Sequence, residues 1–288
     1  MKTVFKWIGI ALGCLVVFVL VAYSVVYFIS ERSVNMRYDI ELATVDFPAP
    51  DSAMLAKGAH QVDIRGCKGC HGRNLGGEIM IDDALFGTFF AANLTPGAGS
   101  ATINYSDDDW IRSIRHAVGP DGRALLVMPS NEFVQLGAGD LAAIILYLKQ
   151  VEPVDWIPPN EQVLGPIARA IHVFTDDDPL VPAGWIDHDM PFPTAPEPGI
   201  TPAYGRYLAI TCASCHGEDL ATPSPGPPDT PPPADLTALD GYGEAAFLGA
   251  VRTGVRPAGD TLHTFMPRFQ SQTDDELKAI WAYLETIQ

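Results

Sequence analysis

The chain has 288 residues, of which 47% are hydrophobic and 18% are charged. This length allows about two domains, and the apolar content argues against a largely disordered chain. Its 18 basic and 35 acidic side chains give a net charge of −17, which excludes nucleic-acid binding driven by phosphate neutralisation. Five cysteines are too few for a disulfide scaffold, so their placement is more informative than their number.

The N-terminal region contains a long uncharged apolar run. Residues 7–29 read WIGIALGCLVVFVLVAYSVVYFI, which is long enough for a helix to cross a bilayer. Lys2 and Lys6 precede this run, and the first acidic residue is Glu31. By the positive-inside rule, the N-terminus stays in the cytoplasm and the chain after residue 30 lies outside. We therefore predict a single-pass anchor that contacts membrane lipid through residues 7–29.

Two other interpretations of this run are a cleaved signal peptide and a lipidated cysteine. A cleaved signal peptide has a cleavage site available at residues 22–24 (AYS), but the apolar run continues beyond it. Lipidation at Cys14 would require a lipobox sequence before the cysteine. The position that is normally Leu in a lipobox is Ala11 here, which argues against lipidation. Cys14 is more simply a small apolar residue of a membrane helix, and an uncleaved anchor is favoured.

The other four cysteines form two copies of the pattern C-x-x-C-H, at residues 67–71 and 212–216. This pattern indicates c-type heme attachment. Two thiols three positions apart can form thioethers with two vinyl groups of one porphyrin, and the following histidine can bind the iron. The sequence thus predicts two covalently bound heme c groups. The residues expected to hold them are Cys67, Cys70, His71, Cys212, Cys215 and His216.

A zinc site and a thioredoxin-like redox pair are the alternatives for these motifs. A structural zinc ion needs a second pair of ligands, and no further cysteine follows the apolar run. A thioredoxin motif is expected within a βαβ context, which the sequence does not show. Two motifs that use every cysteine after the anchor favour heme.

The two motifs belong to two similar halves of the chain, as internal duplication would produce. The order of the matched segments is the same in both halves. The matched pairs are 70–75 (CHGRNL) with 215–220 (CHGEDL), 93–95 (NLT) with 235–237 (DLT), 128–129 (MP) with 266–267 (MP), and 140–148 (DLAAIILYL) with 276–284 (ELKAIWAYL).

Each half also shows matching helix-start signals. Asp51 or Ser52 is expected to cap a helix before the first motif, and Thr201 a helix before the second. Residues 106–109 (SDDD) and 273–276 (TDDE) predict two further helix starts. Neither half shows sustained alternation of apolar and polar residues, so no strands are expected.

The predicted fold is all-α, with a transmembrane helix followed by two tandem domains. The expected boundaries are 1–30 for the cytoplasmic tip and anchor, 31–50 for a linker, 51–152 for domain 1, 153–200 for an interdomain linker rich in proline and aromatic residues, and 201–288 for domain 2.

Met128 and Met266 are the candidate sixth ligands of the two irons. They lie 57 and 50 residues after the motif histidines, and each precedes a proline that holds the preceding backbone extended. A thioether ligand favours reduced iron and implies a comparatively high potential. The methionines could instead be core filler, and His116 and His263 are the best competing ligands. Matched repeat positions favour ligation by His71 with Met128 and by His216 with Met266.

By these residues the chain resembles membrane-anchored class I c-type cytochromes of bacteria. Its first half resembles the cytochrome c subunits of membrane-bound alcohol and sugar dehydrogenases, through CKGCHGRNLGG, ANLTP, GPDGR, MPS and DLAAIILYLKQVEPV. The resemblance implies helical domains whose first and last helices cross near the heme, Gly58 against Tyr147 and Gly205 against Tyr283. It also implies residence in the bacterial cytoplasmic membrane with the heme domains on the periplasmic side. Usual members carry three heme motifs, whereas this chain has two.

The favoured function is transfer of single electrons between redox protein partners outside the membrane. The chain is then an electron carrier rather than an enzyme, either free or as the electron-accepting subunit of a membrane-bound dehydrogenase or respiratory complex. A peroxidase-like diheme enzyme is the alternative, but it needs an open iron site, which methionine at both positions argues against. A structural or assembly subunit is the weakest hypothesis, because it leaves the duplicated heme motifs unexplained.

Overall fold

The computed structural model describes residues 2–158, 161–175, 178, 180–222, 230–239 and 241–288. The described chain is mostly helical, with a few strands. Its elements in chain order are α1 (Lys2–Val34), α2 (Ser52–Ile64), α3 (Cys67–Cys70), β1 (Glu78–Asp83), β2 (Gly87–Ala91), α4 (Asp107–His116), α5 (Ser130–Phe133), α6 (Ala138–Leu148), β3 (Val163–Leu164), α7 (Pro166–Phe174), a 3-10 turn (Pro182–Gly184), α8 (Pro202–Ala209), a 3-10 turn (Ile210–Cys212), α9 (Ala213–His216), α10 (Glu244–Thr253) and α11 (Asp274–Leu284).

The predicted apolar anchor forms part of the single long helix α1, Lys2–Val34. By length and composition this helix can cross a membrane, and its most apolar stretch is not covered by the rest of the protein. Leu15, Phe18 and Phe28 are all exposed, as lipid-facing side chains would be. The helix continues past the apolar run as far as Val34.

The chain divides into two compact units. Unit 1 comprises Met1–Leu42, Gly76–Asn131 and Pro153–Asp189, and unit 2 comprises Ala43–Leu75, Glu132–Glu152 and Met190–Gln288. Residues 51–152, expected to form domain 1, contribute to both units. Both C-x-x-C-H motifs belong to unit 2. The expected separation into two tandem domains stays a prediction.

Unit 1 contains a three-stranded antiparallel sheet in the order β1-β2-β3. The expectation that no strands would form, and with it a purely all-α fold, was wrong. The positions of β2 that point inward are Gly87, Phe89 and Ala91, and two of these are too small to produce an apolar alternation. Strand β1 is exposed along its whole length, so its pairing with β2 rather than burial explains it.

The segment expected to be an interdomain linker contains regular structure as well. Val163–Leu164 forms β3, and Pro166–Phe174 forms α7 with a proline in its first turn. Leu164 and Ala168 are buried with Phe89 of β2 in the core of unit 1. The buried side chains of Leu164 and Ala168 therefore attach this segment to the sheet.

In unit 2, the first and last helices of each repeat cross as the resemblance implies. Helix α2 packs on α6, and α8 packs on α11. A Cβ atom at Gly58 would lie 2.7 Å from the Cβ of Tyr147, and one at Gly205 would lie 2.9 Å from the Cβ of Tyr283. Each would also overlap a backbone carbonyl of the facing helix. Glycine therefore permits the close approach of the two backbones in both repeats.

The predicted helix starts are also confirmed. Asp51 caps α2 by accepting a hydrogen bond from the backbone N–H of Met54. Ser106 and Thr273 form reciprocal capping boxes with Asp109 and Glu276. These side chains satisfy N–H groups that the first helical turn leaves without a partner.

Candidate functional site

The two C-x-x-C-H motifs each occupy a helical turn in unit 2. Cys67–Cys70 forms α3, and the second motif passes from a 3-10 turn into α9, which ends at His216. Residues three apart on such a turn lie on the same side, so both thiols of a motif can reach one macrocycle. All four thiols are free of disulfide bonds. Burial raises the pKa of Cys67 and of Cys212 to about 12, so both are neutral thiols in this environment.

The backbone after each motif histidine follows the same unusual path. Gly72 and Gly217 have φ values of 79° and 81°, and Leu75 and Leu220 have φ values of 61° and 57°. A leucine rarely adopts the left-handed region, because its Cβ atom crowds the following carbonyl. Both leucines are nevertheless buried, which compensates for the strain. The two motifs are therefore duplicates in conformation as well as in sequence.

The imidazole of His216 is held by a backbone carbonyl. His216 is buried, and its Nδ1 lies 2.6 Å from the carbonyl oxygen of Ala234. Because a carbonyl oxygen only accepts hydrogen bonds, Nδ1 carries the proton and Nε2 is left with a free lone pair. Metal-binding histidines are commonly oriented in this way. The arrangement fits an iron bound at Nε2.

His71 ends the first motif in the corresponding position. Its backbone N–H donates to the carbonyl oxygen of Cys67 at 2.9 Å, which closes the turn, and its side chain is partly buried.

The loops after the motifs match too, since Asn93 and Asp235 each accept hydrogen bonds from the threonine two residues later, Thr95 and Thr237.

The path towards each candidate methionine is duplicated as well. Helices α4 and α10 end in left-handed residues, Ala117 and Gly254. The carbonyl oxygen of each accepts a hydrogen bond at 2.7 Å from the backbone N–H eight residues later, that of Leu125 or Leu262. The same tight hairpin therefore precedes both methionine loops.

Both candidate methionines are partly buried and are held through their backbone carbonyls. The Met128 carbonyl oxygen accepts from the backbone N–H of Ser130 at 2.7 Å, and that of Met266 from the guanidinium of Arg268 at 2.5 Å. Met266 shares unit 2 with His216, whereas Met128 belongs to unit 1. Ligation by either methionine stays a prediction.

The competing histidines have environments of their own. His116 is buried in unit 1, with its Nδ1 3.1 Å from Nδ1 of His188, and His188 donates through Nε2 to the carbonyl of Ala183 at 3.1 Å. Burial and the neighbouring His188 lower the pKa of His116 to about 4. His263 is exposed and accepts from the backbone N–H of Phe265. His116 thus already has a protein partner, and His263 lies in solvent.

Arg65 and Glu132 are buried charged residues that the sequence patterns did not single out. Arg65 donates to the carbonyl of Tyr207 at 2.9 Å and stacks over its ring at 4.7 Å. Burial raises the pKa of Glu132 to about 8, although Arg65 opposes the shift. Within the described residues, Nη2 of Arg65 and Oε1 of Glu132 have no hydrogen-bond partner. Sequence reasoning could have singled out Arg65, because it is a charged residue two positions before Cys67. The burial of Glu132 depends on tertiary packing and has no such local signal.

Glu132 acts electrostatically on the second motif. Its carboxylate contributes to the raised pKa of both Cys212 and Cys215, behind the larger effect of burial. Arg65 has the opposite effect, because its positive charge lowers the pKa of Cys67 and of Cys212. A buried charge near these cysteines would change the potential of a heme attached to them, so Arg65 and Glu132 are part of the candidate site.

The zinc alternative receives no support from the described part of the chain. Among these residues there is no group of three or more histidine, cysteine, aspartate or glutamate side chains placed to hold a metal ion. A structural zinc ion needs four such ligands.

Comparison with known proteins agrees with these features. The family model for subunit III of cbb3-type cytochrome c oxidase matches residues 201–284, the part of the chain that contains the second C-x-x-C-H motif. The chain is 26% identical over 185 residues to the cytochrome c subunit of alcohol dehydrogenase (quinone) from Gluconacetobacter polyoxogenes, which covers 60% of this chain and 38% of that protein.

Two further relatives are of the same kind. The gluconate 2-dehydrogenase cytochrome c subunit of Pantoea cypripedii is 23% identical, over 85% of this chain and 63% of its own length. The fructose dehydrogenase cytochrome subunit of Gluconobacter japonicus is 27% identical, over 42% of this chain and 27% of its own length. The matched region therefore spans less than two thirds of each relative. The resemblance to cytochrome c subunits of dehydrogenases that the sequence predicted is therefore confirmed.

Proposed function

We propose that this chain, a homologue of the cytochrome c subunits of dehydrogenases, is a membrane-anchored diheme cytochrome c that transfers single electrons outside the cytoplasmic membrane. The observation that carries this proposal is the conformational duplication of the two motifs, including the matched φ values of Gly72 with Gly217 and of Leu75 with Leu220. Each copy retains the residues that one heme requires. A repeat that had lost its heme would have no need of a second strained turn.

Each heme would be held by two thioethers and two iron ligands, and bound iron supplies one-electron chemistry. The protein determines the orientation of the ligands and the potential. The hydrogen bond from Nδ1 of His216 to the carbonyl of Ala234 would orient Nε2 towards an iron, and a methionine thioether would raise the potential of that iron. The proposed residues are Cys67, Cys70, His71 and Met128 for one heme, and Cys212, Cys215, His216 and Met266 for the other.

The proposed membrane topology follows from α1. Lys2 and Lys6 lie before the apolar run, and by the positive-inside rule they support an N-terminus in the cytoplasm and heme motifs on the periplasmic side. Trp7 and Tyr27 lie near the two ends of the run, where aromatic residues favour the membrane interface. An anchored carrier remains at the membrane surface, where membrane-bound redox partners are found.

A dehydrogenase or a respiratory complex is the proposed type of partner. Residues 31–288 carry 16 basic and 35 acidic side chains, a net charge of −19. Small, transient electron-transfer complexes depend on charge to increase the rate of encounter. A soluble partner would therefore present a basic face, whereas a permanent subunit would be held without such steering.

The number of covalent hemes tests the proposal directly. Denatured protein from an export-competent host should retain two hemes per chain, measured by the pyridine hemochrome spectrum and by mass. Replacing Cys67→Ala together with Cys70→Ala should leave one heme, and the control Cys14→Ser should leave two. Heme that extracts into acidified organic solvent would contradict the proposal.

The type of partner is tested by kinetics in intact membranes. The rate of heme reduction by the native donor should fall steeply with ionic strength if a soluble partner is steered by charge. A rate independent of ionic strength would exclude that partner and indicate a fixed subunit. Co-purification from the native membrane would then identify the other subunits.

A further inference from the structure

Helix α7 of unit 1 has one buried face and one exposed apolar face. Ala168 lies in the core, where it packs with Phe89 and Leu164. On the other side, Ile167, Ile171 and Phe174 are exposed. These three residues follow the spacing i, i+4, i+7, so they share one face of the helix. Phe174 is 77% exposed, which is unusual for a phenylalanine on a folded helix.

The same helix is attached to the end of the proposed anchor. Arg169 is buried and its guanidinium lies 4.3 Å from the ring centre of Tyr27. It donates to Oγ of Ser30 at 2.8 Å and to the carboxylate of Glu31 at 2.9 Å. These three residues mark the point where the apolar run of α1 ends. Helix α7 is therefore fixed at the level where α1 would leave the bilayer.

The exposed apolar face extends beyond α7 onto the neighbouring hairpin and strand. The backbone N–H of Ile167 donates to the carbonyl of Leu85 at 3.0 Å, and Leu85 is itself exposed. Val163 of β3 is exposed as well, three residues before α7 begins. We call the set Leu85, Val163, Ile167, Ile171 and Phe174 the α7 patch.

We infer that the α7 patch is a membrane-docking surface that inserts into the outer leaflet of the bilayer beside α1. This inference depends on the proposed anchor. The patch is continuous with the proposed anchor, because Arg169 connects the helix that carries the patch directly to α1. The sequence of α7, PIARAIHVF, contains no acidic residue in a chain with a net charge of −17. An apolar helix face that docks on a membrane is buried about 5–10 Å into the boundary between headgroups and acyl chains.

The depth of residue 174 in a bilayer tests this inference. In the heme-loaded full chain with Cys14→Ser, the introduced thiol is the only one left by the proposed thioethers. A nitroxide attached at Phe174→Cys is compared, in lipid nanodiscs, with one at Ile157→Cys. Ile157 lies outside the α7 patch and is 71% exposed, so its side chain is exposed by the protein to nearly the same extent as that of Phe174. Power-saturation EPR measures the accessibility of each label to oxygen and to a water-soluble nickel chelate.

We expect the oxygen-to-nickel accessibility ratio to be severalfold higher at position 174 than at position 157. An aqueous ratio at 174 overturns the inference. A label at 174 that is immobilised and inaccessible to both reagents also overturns it, because a protein would then cover the patch. A third label at Phe18→Cys tests the proposed anchor separately from the α7 patch. Phe18 lies in the middle of the apolar run, so this label should lie deep in the bilayer whether or not the patch inserts. An aqueous ratio at position 18 would contradict the proposed anchor.

Discussion

The hydroxyl of Tyr207 donates to the carboxylate of Asp140 at 2.5 Å and thereby joins the first helix of the second repeat to the last helix of the first repeat. The reciprocal contact is also present, since Nε2 of His60 lies 2.7 Å from Oε1 of Glu276. His60 and Tyr207 each follow their crossing glycine by two residues, and Asp140 and Glu276 each precede their crossing tyrosine by seven. The two repeats are thus joined within unit 2 by a pair of equivalent hydrogen bonds.

Each carboxylate also binds a residue of its own repeat. Asp140 forms an ion pair with Lys57 at 2.6 Å, and Glu276 accepts from the hydroxyl of Tyr204 at 3.5 Å. Lys57 and Tyr204 each precede their crossing glycine by one residue. One acidic position on each last helix therefore connects two first helices. This arrangement holds the two C-x-x-C-H motifs in a defined relationship, as the proposed electron transfer between two hemes would require.

Removing the Tyr207 hydroxyl should destabilise unit 2. Tyr207→Phe leaves the buried Asp140 carboxylate without one donor, at a cost of about 1–3 kcal/mol. We expect a lower midpoint in urea unfolding followed by circular dichroism. The control Tyr242→Phe, at a partly exposed tyrosine, should change the unfolding free energy by less than about 0.5 kcal/mol. Equal midpoints for the two variants would show that the contact contributes no stability.

The contact between His60 and Glu276 should make stability depend on pH. The hydrogen bond to Glu276 raises the pKa of His60 above 6.5. Burial alone would raise the pKa of Glu276, but hydrogen bonds from His60 and Thr273 lower it below 4.5. The histidine's contribution is lost as the pH rises through its folded pKa, and the glutamate's as the pH falls through its own.

The contact therefore contributes most between pH 4.5 and 6.5, the ordinary values of the two groups. His60→Gln should cost most stability in this range and least at alkaline pH, as measured by urea unfolding at several pH values. His263→Gln, at an exposed histidine of the same unit, is the control. A difference between wild type and His60→Gln that does not vary with pH would refute this explanation.

Glu132 should make the potential of the second heme depend on pH. Burial raises the pKa of Glu132 to about 8, so the carboxyl is neutral at pH 7 and ionises in mildly alkaline solution. A new negative charge near Cys212 and Cys215 stabilises oxidised iron, so the potential should fall as the pH rises through this range. Spectroelectrochemical titration should show this fall in the wild type and not in Glu132→Gln. The variant Glu152→Gln, at an exposed position, should behave as the wild type.

The candidate methionine ligands can be tested one at a time. Met128→Ala and Met266→Ala should each remove about half of the sulfur-to-iron charge-transfer absorption of the oxidised protein, because one of two hemes loses its thioether. Each variant should also lower the potential of one heme. Met80→Ala, at an exposed methionine of β1, should leave both properties unchanged. A high-spin iron in the wild type would instead favour the peroxidase-like alternative.

Local sequence determined the features that depend on nearest neighbours along the chain. The helix starts at Ser106 and Thr273 were predicted correctly from local sequence, whereas the helix crossings at Gly58 and Gly205 were implied by the family resemblance. A cap needs only a side chain three residues from its partner, and a close crossing needs only a residue without a Cβ atom. Repetition of the same signals in both halves gave the alignment of the two C-x-x-C-H motifs.

Contacts between distant residues could be decided only by the tertiary structure. Strand β2 was missed because Gly87 and Ala91 occupy its inward positions, so its pairing with β1 and β3 leaves no apolar alternation to find. The burial of Glu132 also depends on surroundings that no local pattern encodes, and this burial raises its pKa to about 8 against the opposing effect of Arg65. Local chemistry thus predicted the residues that would hold a heme, whereas packing between segments far apart in the chain determined the charge and the environment around the two motifs.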